Sequence, residues 1–397
     1  MSPLEGTTQS VRLVHATAEY FVEGVPLQGH PLLLNSQLER LPAPNDYLYT
    51  LRCHEGLSPS TVNTYAWGLY DFFSWVEANR EDWTRPSDPR NPLATPLLAR
   101  YRNWQTQLSM SSGQPSLATI RHYLTVCRGF YKWASKEGLL SAELPLVRVS
   151  TKRKSKQASS PNAGSPAKGL PPQRGFAPKC MSLDQIKAVN SSIKNARDRL
   201  MVIFALGSGL RRSEIISFPA HLIPDHVPCT SAIDRISIDI SPCPKGPAGE
   251  SVMHIKGNVR RRIYVDAKII EALSHYKAIG SGVVAARKYE DTYGAKPPRL
   301  FLSETGRPLA NTHLNRICSR VTDTVGFAVW PHLLRHTFAT HELLVESMRR
   351  PQIKALMWVR DRLGHANIAT TQIYTSLLSE LLPNEANTYQ SYLSTLI

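Results

Sequence analysis

The chain has 397 residues, enough for two or three domains with a sizeable buried core. Lys and Arg number 47 against 31 Asp and Glu, and the resulting net charge of +16 favours a polyanionic partner. The longest apolar run, Leu200 to Leu206, is far too short to cross a bilayer, so no membrane partner is expected. No basic stretch followed by an apolar run opens the sequence, and Cys53, Cys127, Cys180, Cys229, Cys243 and Cys318 form no Cys-x-x-Cys pair. A soluble protein of a reducing, cytoplasmic compartment is expected.

In chain order, residues 1–42 alternate apolar and polar groups around Val11 to Val14 and Tyr20 to Val22, with turns at Gly24 and Gly29. They read as a short strand pair or an extended arm. Residues 43–150 read as a small helical domain. Ser58-Pro59 opens one helix, on which Tyr65, Leu69, Phe72, Phe73 and Val76 share a face. A second runs from Thr95-Pro96 to about Leu108. A third follows Pro115-Ser116 and buries Ile120, Tyr123, Leu124, Cys127, Phe130, Tyr131 and Ala134. Because the aromatics follow the helical period, they read as core and not as base-stacking groups.

Residues 151–179 carry 7 basic groups and no acidic one, and are otherwise mostly Ser, Pro, Gly and Ala. This is a flexible linker, in which Lys152, Arg153, Lys154 and Lys156 either stay solvated or track DNA phosphates. A second domain, 180–382, begins with a helix at Ser182-Leu183-Asp184 and a strongly apolar one through Leu206, broken by Gly207 and Gly209. Ile233 to Ile240 alternates as a strand. Val252 to Ile255 is expected to pair with Arg262 to Val265 across a turn containing Gly257-Asn258. Helices then resume, interrupted by a turn near Pro351. Residues 383–397 form a tail that packs either in cis or on a neighbouring protomer.

Three motifs carry chemistry. Gly209-Leu210-Arg211-Arg212-Ser213-Glu214 places Arg211 at a helix start, with Glu214 on the same face to hold its guanidinium. His332 and Arg335 stand three apart on a helix opened by Pro331. In Leu363-Gly364-His365 and the helix after it, Asn367 is a good N-cap, and Tyr374 is set off from an apolar stripe of Ile373 and Leu377. Breaking a phosphodiester without a metal needs fixed cations on its non-bridging oxygens, a nucleophile, and an acid for the departing alkoxide. Arginine forks and a tyrosine fit the first two needs. Arg260, Arg261 and Arg262 beside Lys256 read either as DNA-backbone contacts or as a solvated strand edge. His332, His336 and His341 lack zinc-ligand spacing, so no metal is assigned.

From about residue 45 to 380 the sequence resembles the tyrosine recombinases, the phage integrase family. The resemblance rests on His332 to His341, Leu363 to His365, Thr371 to Tyr374, the Gly209 to Glu214 box and Ile255-Lys256-Gly257-Asn258. It implies a mainly α (α+β) fold: a helical SAM-like core-binding domain and a mixed, mainly helical catalytic domain with a small antiparallel sheet. It also implies that Tyr374 attacks the scissile phosphate, Arg211 and Arg335 clamp it, and Lys256 protonates the leaving 5′ oxygen. His332 takes or relays the tyrosine proton, His365 bonds the phosphate, and Glu214 supports. Double-stranded DNA, a homo-tetramer on two DNA sites, an accessory recombinase or directionality protein, a bacterial or phage origin and no cofactor follow from the same resemblance. The rivals are a type IB topoisomerase-like or telomere-resolving enzyme, and a catalytically silent DNA-binding regulator. The stretch Glu346 to Trp358 lengthens the usual spacing between the two histidine motifs.

Overall fold

A computed structural model describes the chain except for residues 1–10, 88–90, 92–93, 142–178, 226–234, 256–259, 366–370, 372–373, 376–388, 390–391, 394 and 397. It divides into two compact units, 1–174 and 175–397. The architecture is mainly helical with small antiparallel strand pairs. Among the described residues no helix is long and apolar enough to cross a membrane.

The first unit opens with two ribbons. Strand β1 (Arg12–His15) pairs with β4 (Pro31–Leu34), and β2 (Phe21–Val22) pairs with β3 (Val25–Pro26). This segment is no free arm. Val11 and Leu33 are buried in the same core as the helices that follow, and Asn45 of α1 (Pro42–Tyr49) bonds both the N–H and the carbonyl of Leu33. Helix α2 (Pro59–Ala78) starts where Ser58 accepts from the Thr61 N–H, with Pro59 at its first position. Helix α3 (Leu97–Ser112) begins after Pro96, not Thr95, and runs on to a left-handed Gly113. Helix α4 (Leu117–Lys136) is capped by Ser116. The expected aromatic stripe is core: Phe72 meets Tyr101 and Tyr131 edge-on at 5.2 and 6.0 Å between ring centroids, and all three are fully buried. Each such buried ring contributes roughly 1.5–3 kcal/mol.

The second unit is built around α6 (Ala196–Ser208), which is buried almost all round. Before it lies α5 (Leu183–Ser192), whose start is fixed by reciprocal Ser182–Gln185 hydrogen bonds. After it come α7 (Arg212–Ile216), β5 (Arg235–Ile240), β6 (Arg261–Asp266), α8 (Ala267–Ala278), α9 (Ser281–Tyr293), α10 (His313–Val325), α11 (Pro331–Arg349) and α12 (Gln352–Leu363). The break between α11 and α12 falls at Arg350-Pro351, because Pro351 cannot continue a helix and instead opens the next.

The strand pairing differs from expectation. β6 pairs with β5, Ile236 opposite Val265 and Asp239 opposite Arg262, and not with Val252 to Ile255. That segment is buried coil whose backbone bonds go to Ser217: the Met253 N–H to its carbonyl at 2.7 Å and the His254 N–H to its hydroxyl at 2.8 Å. Two of its donors are already engaged, and Met253 has φ +48, outside strand geometry. In the tail, Tyr389 and Leu393 are buried in this unit's own core; the Tyr389 hydroxyl donates to the Leu206 carbonyl and its ring stacks on His341.

Candidate active site

Four chain segments converge where α6 ends, α7 and α11 begin and α12 ends. Gly209 closes α6 at φ +63, and a Cβ there would lie 2.2 Å from a ring carbon of Phe338. Only glycine permits both the left-handed turn and this approach. The turn aims the Gly209 carbonyl at Arg335, whose Nη1 donates to it at 2.6 Å. Gly364 caps α12 in the same left-handed way, at φ +64.

The end of α12 organises the arginines. Its last carbonyls have no partner within the helix and carry the negative end of its dipole. Three successive carbonyls receive three guanidinium groups: Arg362 from Arg261 at 2.9 Å, Leu363 from Arg335 at 2.6 Å, and Gly364 from Arg211 at 3.0 Å. Glu214, fully buried, ties two of these together. It accepts from the Arg211 N–H at 2.7 Å, the Arg211 guanidinium at 3.1 Å and Arg261 at 2.6 Å. Burial alone would raise its pKa, but the hydrogen bond and charge of Arg261, with Arg211 behind them, hold it below the ordinary carboxylate value.

Arg335 is in a different condition. It is 1% exposed, and burial with the neighbouring charge of Arg211 brings its pKa down to about 9. Among the described residues it has no acidic partner within ion-pair distance, and its Nε has no hydrogen-bond partner. A buried cation without an anion is costly, so this side chain is poised for one.

The histidines differ in role. His365 stands between Arg335, 3.1 Å from its Nε2, and Thr371, 3.1 Å from its Nδ1. Guanidinium only donates, so Nε2 accepts and Nδ1 carries the proton. Burial and the charges of Arg335 and Arg211 hold this ring neutral, with a pKa near 3. His332 is also shifted down, by burial and then by Arg335 and Arg211. Its ring lies 4.4 Å from that of His336, one turn along α11. His336 Nδ1, in turn, lies 2.9 Å from the Tyr374 hydroxyl.

Tyr374 lies among apolar side chains, while Ile373 and Leu377, the stripe it was expected to stand apart from, lie outside the described residues. Tyr374 is 1% exposed and packs with Phe338, Leu343, Leu356, Val359 and Leu363, because the end of α12 and α11 leave an apolar slot of its size. Burial pushes its hydroxyl up to about 12, against the opposing pull of Arg335. Arg261 also departs from expectation. Its side chain faces inward, bonded to Glu214 and α12, and not out along a solvated strand edge. Strand alternation could have told this, since Arg261, Ile263 and Val265 share one face and Arg262 points away. Arg262 is exposed and pairs with exposed Asp239 at 2.7 Å across the strands, and Arg260 is exposed. Lys256, Lys152, Arg153, Lys154, Lys156 and the Asn367 cap lie outside the described residues.

Sequence reasoning weighed His336 only as a metal ligand and did not single out Glu342 or Arg362. Helical spacing could have placed His336 beside His332, since it falls four residues from it. Glu342 is fully buried on α11 and accepts from Arg235 at 2.9 Å and from Arg362. The Arg362 guanidinium lies 4.8 Å from the Tyr264 ring centre and 5.4 Å from that of Trp358. An acid within the apolar run His341-Glu342-Leu343-Leu344 was the available signal.

Two arginines, two histidines and a tyrosine gathered in a mainly helical unit define the class of the tyrosine recombinases. The Phage integrase family model matches residues 179–380, and the chain belongs to that family as a tyrosine-type site-specific recombinase. It is 26% identical over 347 residues to tyrosine recombinase XerC of Serratia marcescens, covering 85% of this chain and 91% of that protein. It is 24% identical over 337 residues to XerD of Listeria monocytogenes, covering 83% and 92%. Among solved structures, the XerH recombinase on palindromic difH substrate, a post-cleavage complex, matches with a TM-score of 0.53 at 20% identity, covering 85% of this chain and 82% of that one. A lambda integrase(75-356) dimer bound to a COC′ core site matches at 0.52 and 14% identity, covering 84% and 93%. These structural likenesses establish the fold.

Proposed function

We propose that this recombinase cuts and rejoins duplex DNA through a 3′-phosphotyrosyl intermediate, in the service of integrating, excising or transposing a mobile element. The observation that carries the reading is Arg335, a fully buried guanidinium with an unpartnered Nε and no acidic partner among the described residues, beside Arg211 and His365. A phosphodiester supplies the missing anion, and its two non-bridging oxygens suit two arginine forks.

In the reaction Tyr374 attacks phosphorus and Arg211 and Arg335 hold the non-bridging oxygens; with phosphate bound, the His365 proton moves from Nδ1 to Nε2, which then donates a further hydrogen bond. Lys256 gives a proton to the departing 5′ oxygen. The ester keeps the energy of the broken bond, so rejoining needs only attack by a 5′-hydroxyl. The Glu214 bridge keeps Arg211 from turning away, a positioning role. In this reading residues 43–150 grip core DNA, 151–179 form a basic linker, and 180–382 carry the chemistry. Four protomers assemble on two sites. The XerH and lambda integrase structures that the chain resembles are titled as DNA complexes, one of them a lambda integrase tetramer bound to a Holliday junction, and the +16 charge is of the right sign.

The test uses nicked suicide duplexes carrying candidate sites from the flanks of the encoding element, resolved on denaturing gels. A covalent protein–DNA adduct is expected in the wild type and lost in Tyr374→Phe. An adduct that persists in that variant refutes the assignment of the nucleophile.

A further inference from the structure

Resting on that reading, we propose that His336, and not its neighbour His332, docks the Tyr374 hydroxyl and receives its proton during attack. The contact is direct: His336 Nδ1 and the Tyr374 oxygen are 2.9 Å apart, with ring centroids at 5.5 Å. Both residues are buried, so solvent does not compete for the hydroxyl. His332 makes no hydrogen bond to Tyr374 in the structure; its ring instead packs edge-on against His336.

The chemistry follows from what faces the pair. His332 and Arg335 on α11 are the charged or titratable neighbours that act on His336, and both disfavour a second positive charge there. Burial first, and then these two neighbours, hold the imidazole neutral, at a pKa of about 4, so that Nδ1 can accept. Tyr374 is likewise un-ionised at rest. Proton transfer therefore accompanies bond formation and does not precede it. As the tyrosine oxygen bonds to phosphorus, its proton passes to His336 Nδ1. The P–O5′ bond breaks in the same displacement, and the 5′ oxygen leaves as an alcohol after taking a proton from the acid, assigned above to Lys256. Phosphate between Arg335 and His336 supplies the negative charge that stabilises the imidazolium. On rejoining, His336 returns its proton to Tyr374.

Two measurements on the full-length chain decide the matter. The first needs no DNA: thermal unfolding of His336→Leu, Tyr374→Phe and the double variant. A shared hydrogen bond makes the double variant lose less than the sum of the single losses; strict additivity overturns the docking. The second uses the duplex that forms the adduct, with an ordinary or a 5′-bridging phosphorothiolate at the scissile position, followed as single-turnover rates on preformed complexes. A sulfur leaving group needs no acid. His336→Asn places an amide where Nδ1 stood but cannot take the proton. Its rate is expected to fall roughly 10²-fold, to rise with pH more steeply than the wild type, and to gain nothing from sulfur. Lys256→Ala regains its rate with sulfur. Cleavage by His336→Asn within twofold of wild type, or its rescue by sulfur, overturns the assignment of the proton acceptor. Failure of every duplex to give an adduct instead counts against the proposed function, and the thermal cycle still decides whether His336 docks Tyr374.

Discussion

Replacing Glu214 by glutamine isolates the charge that holds two of the three arginines, since shape and one acceptor oxygen survive. The carboxylate is fully buried, and its partners Arg261 and Arg211 have side chains 5% and 22% exposed, so solvent screening is slight. Removing one partner of a buried ion pair costs about 3–5 kcal/mol, and the retained acceptor puts Glu214→Gln at about 3. For a unit the size of residues 175–397, roughly 2–4 °C of melting temperature is lost per kcal/mol. A fall of about 6–12 °C is therefore expected by circular dichroism at neutral pH. The sign of the pH dependence follows from the depressed pKa of Glu214. Its stabilisation is complete above the unfolded carboxylate value of about 4.3 and is lost as pH falls through the lower folded value. The gap between wild type and Glu214→Gln should accordingly be constant from pH 8 to 5 and narrow below 4. Arg261→Met combined with Glu214→Gln should cost less than the two separately. A melting temperature within 2 °C of wild type, or a gap that widens on acidification, would refute the assignment of Glu214 as the anchor of this cluster.

Arg335→Lys keeps the charge but cannot reach the Gly209 and Leu363 carbonyls with a fork; single-turnover cleavage should fall roughly 10²–10³-fold. Equal rates would mean that charge alone suffices. Gly209→Ala must adopt a left-handed φ and press a methyl on Phe338, so a loss of roughly 2–4 kcal/mol is expected in urea unfolding; an unchanged midpoint contradicts the packing described. The neighbours on β6 should separate sharply: Arg262→Ala, whose ion pair is exposed, should leave the melting temperature nearly unchanged, whereas Arg261→Ala should lower it by several degrees.

What was legible in the sequence was local. Pro331 and Pro351 open helices, Ser58, Ser116 and Ser182 cap them, and Gly209 and Gly364 end them, because each device acts within one turn of chain. The apolar stripes of α2 and α4 were equally plain, since their period is set by the helix itself. Contacts across long separations were not. Val252 to Ile255 has a strand's composition but lies where Ser217 takes its backbone donors, and no local pattern distinguishes that from pairing with β6. The burial of Tyr374 depends on a slot formed by α11 and α12, and its partner His336 is 38 residues away. His336 adjoins Arg335 in sequence, and its four-residue spacing from His332 carries no sign of a partner on another segment. Arg261 lay within a run of three arginines, and only the alternation of β6 shows that its middle member turns inward.

The end of α12 explains how so much positive charge is held in one place without being neutralised there. Arg211 and Arg261 share one carboxylate, Glu214, and Arg335 has none among the described residues, so the cluster retains a surplus of positive charge. A second carboxylate against Arg335 would stabilise the fold but would compete with any incoming anion. Backbone carbonyls at a helix C-terminus avoid that conflict: each carries a partial negative charge, enough to fix the direction of a guanidinium and too little to cancel it. The three bonds to Arg362, Leu363 and Gly364 set the arginine forks relative to one another before substrate arrives. Little reorganisation is then left for the moment at which charge develops on the phosphate. The same helix end packs Leu363 with Tyr374, so the element that orients the arginine forks also holds the side chain proposed as nucleophile. A shift of α12 would therefore move the arginine forks and Tyr374 together, which makes the buried Arg362–Glu342–Arg235 cluster behind it a determinant of the geometry of the candidate site as well as of stability.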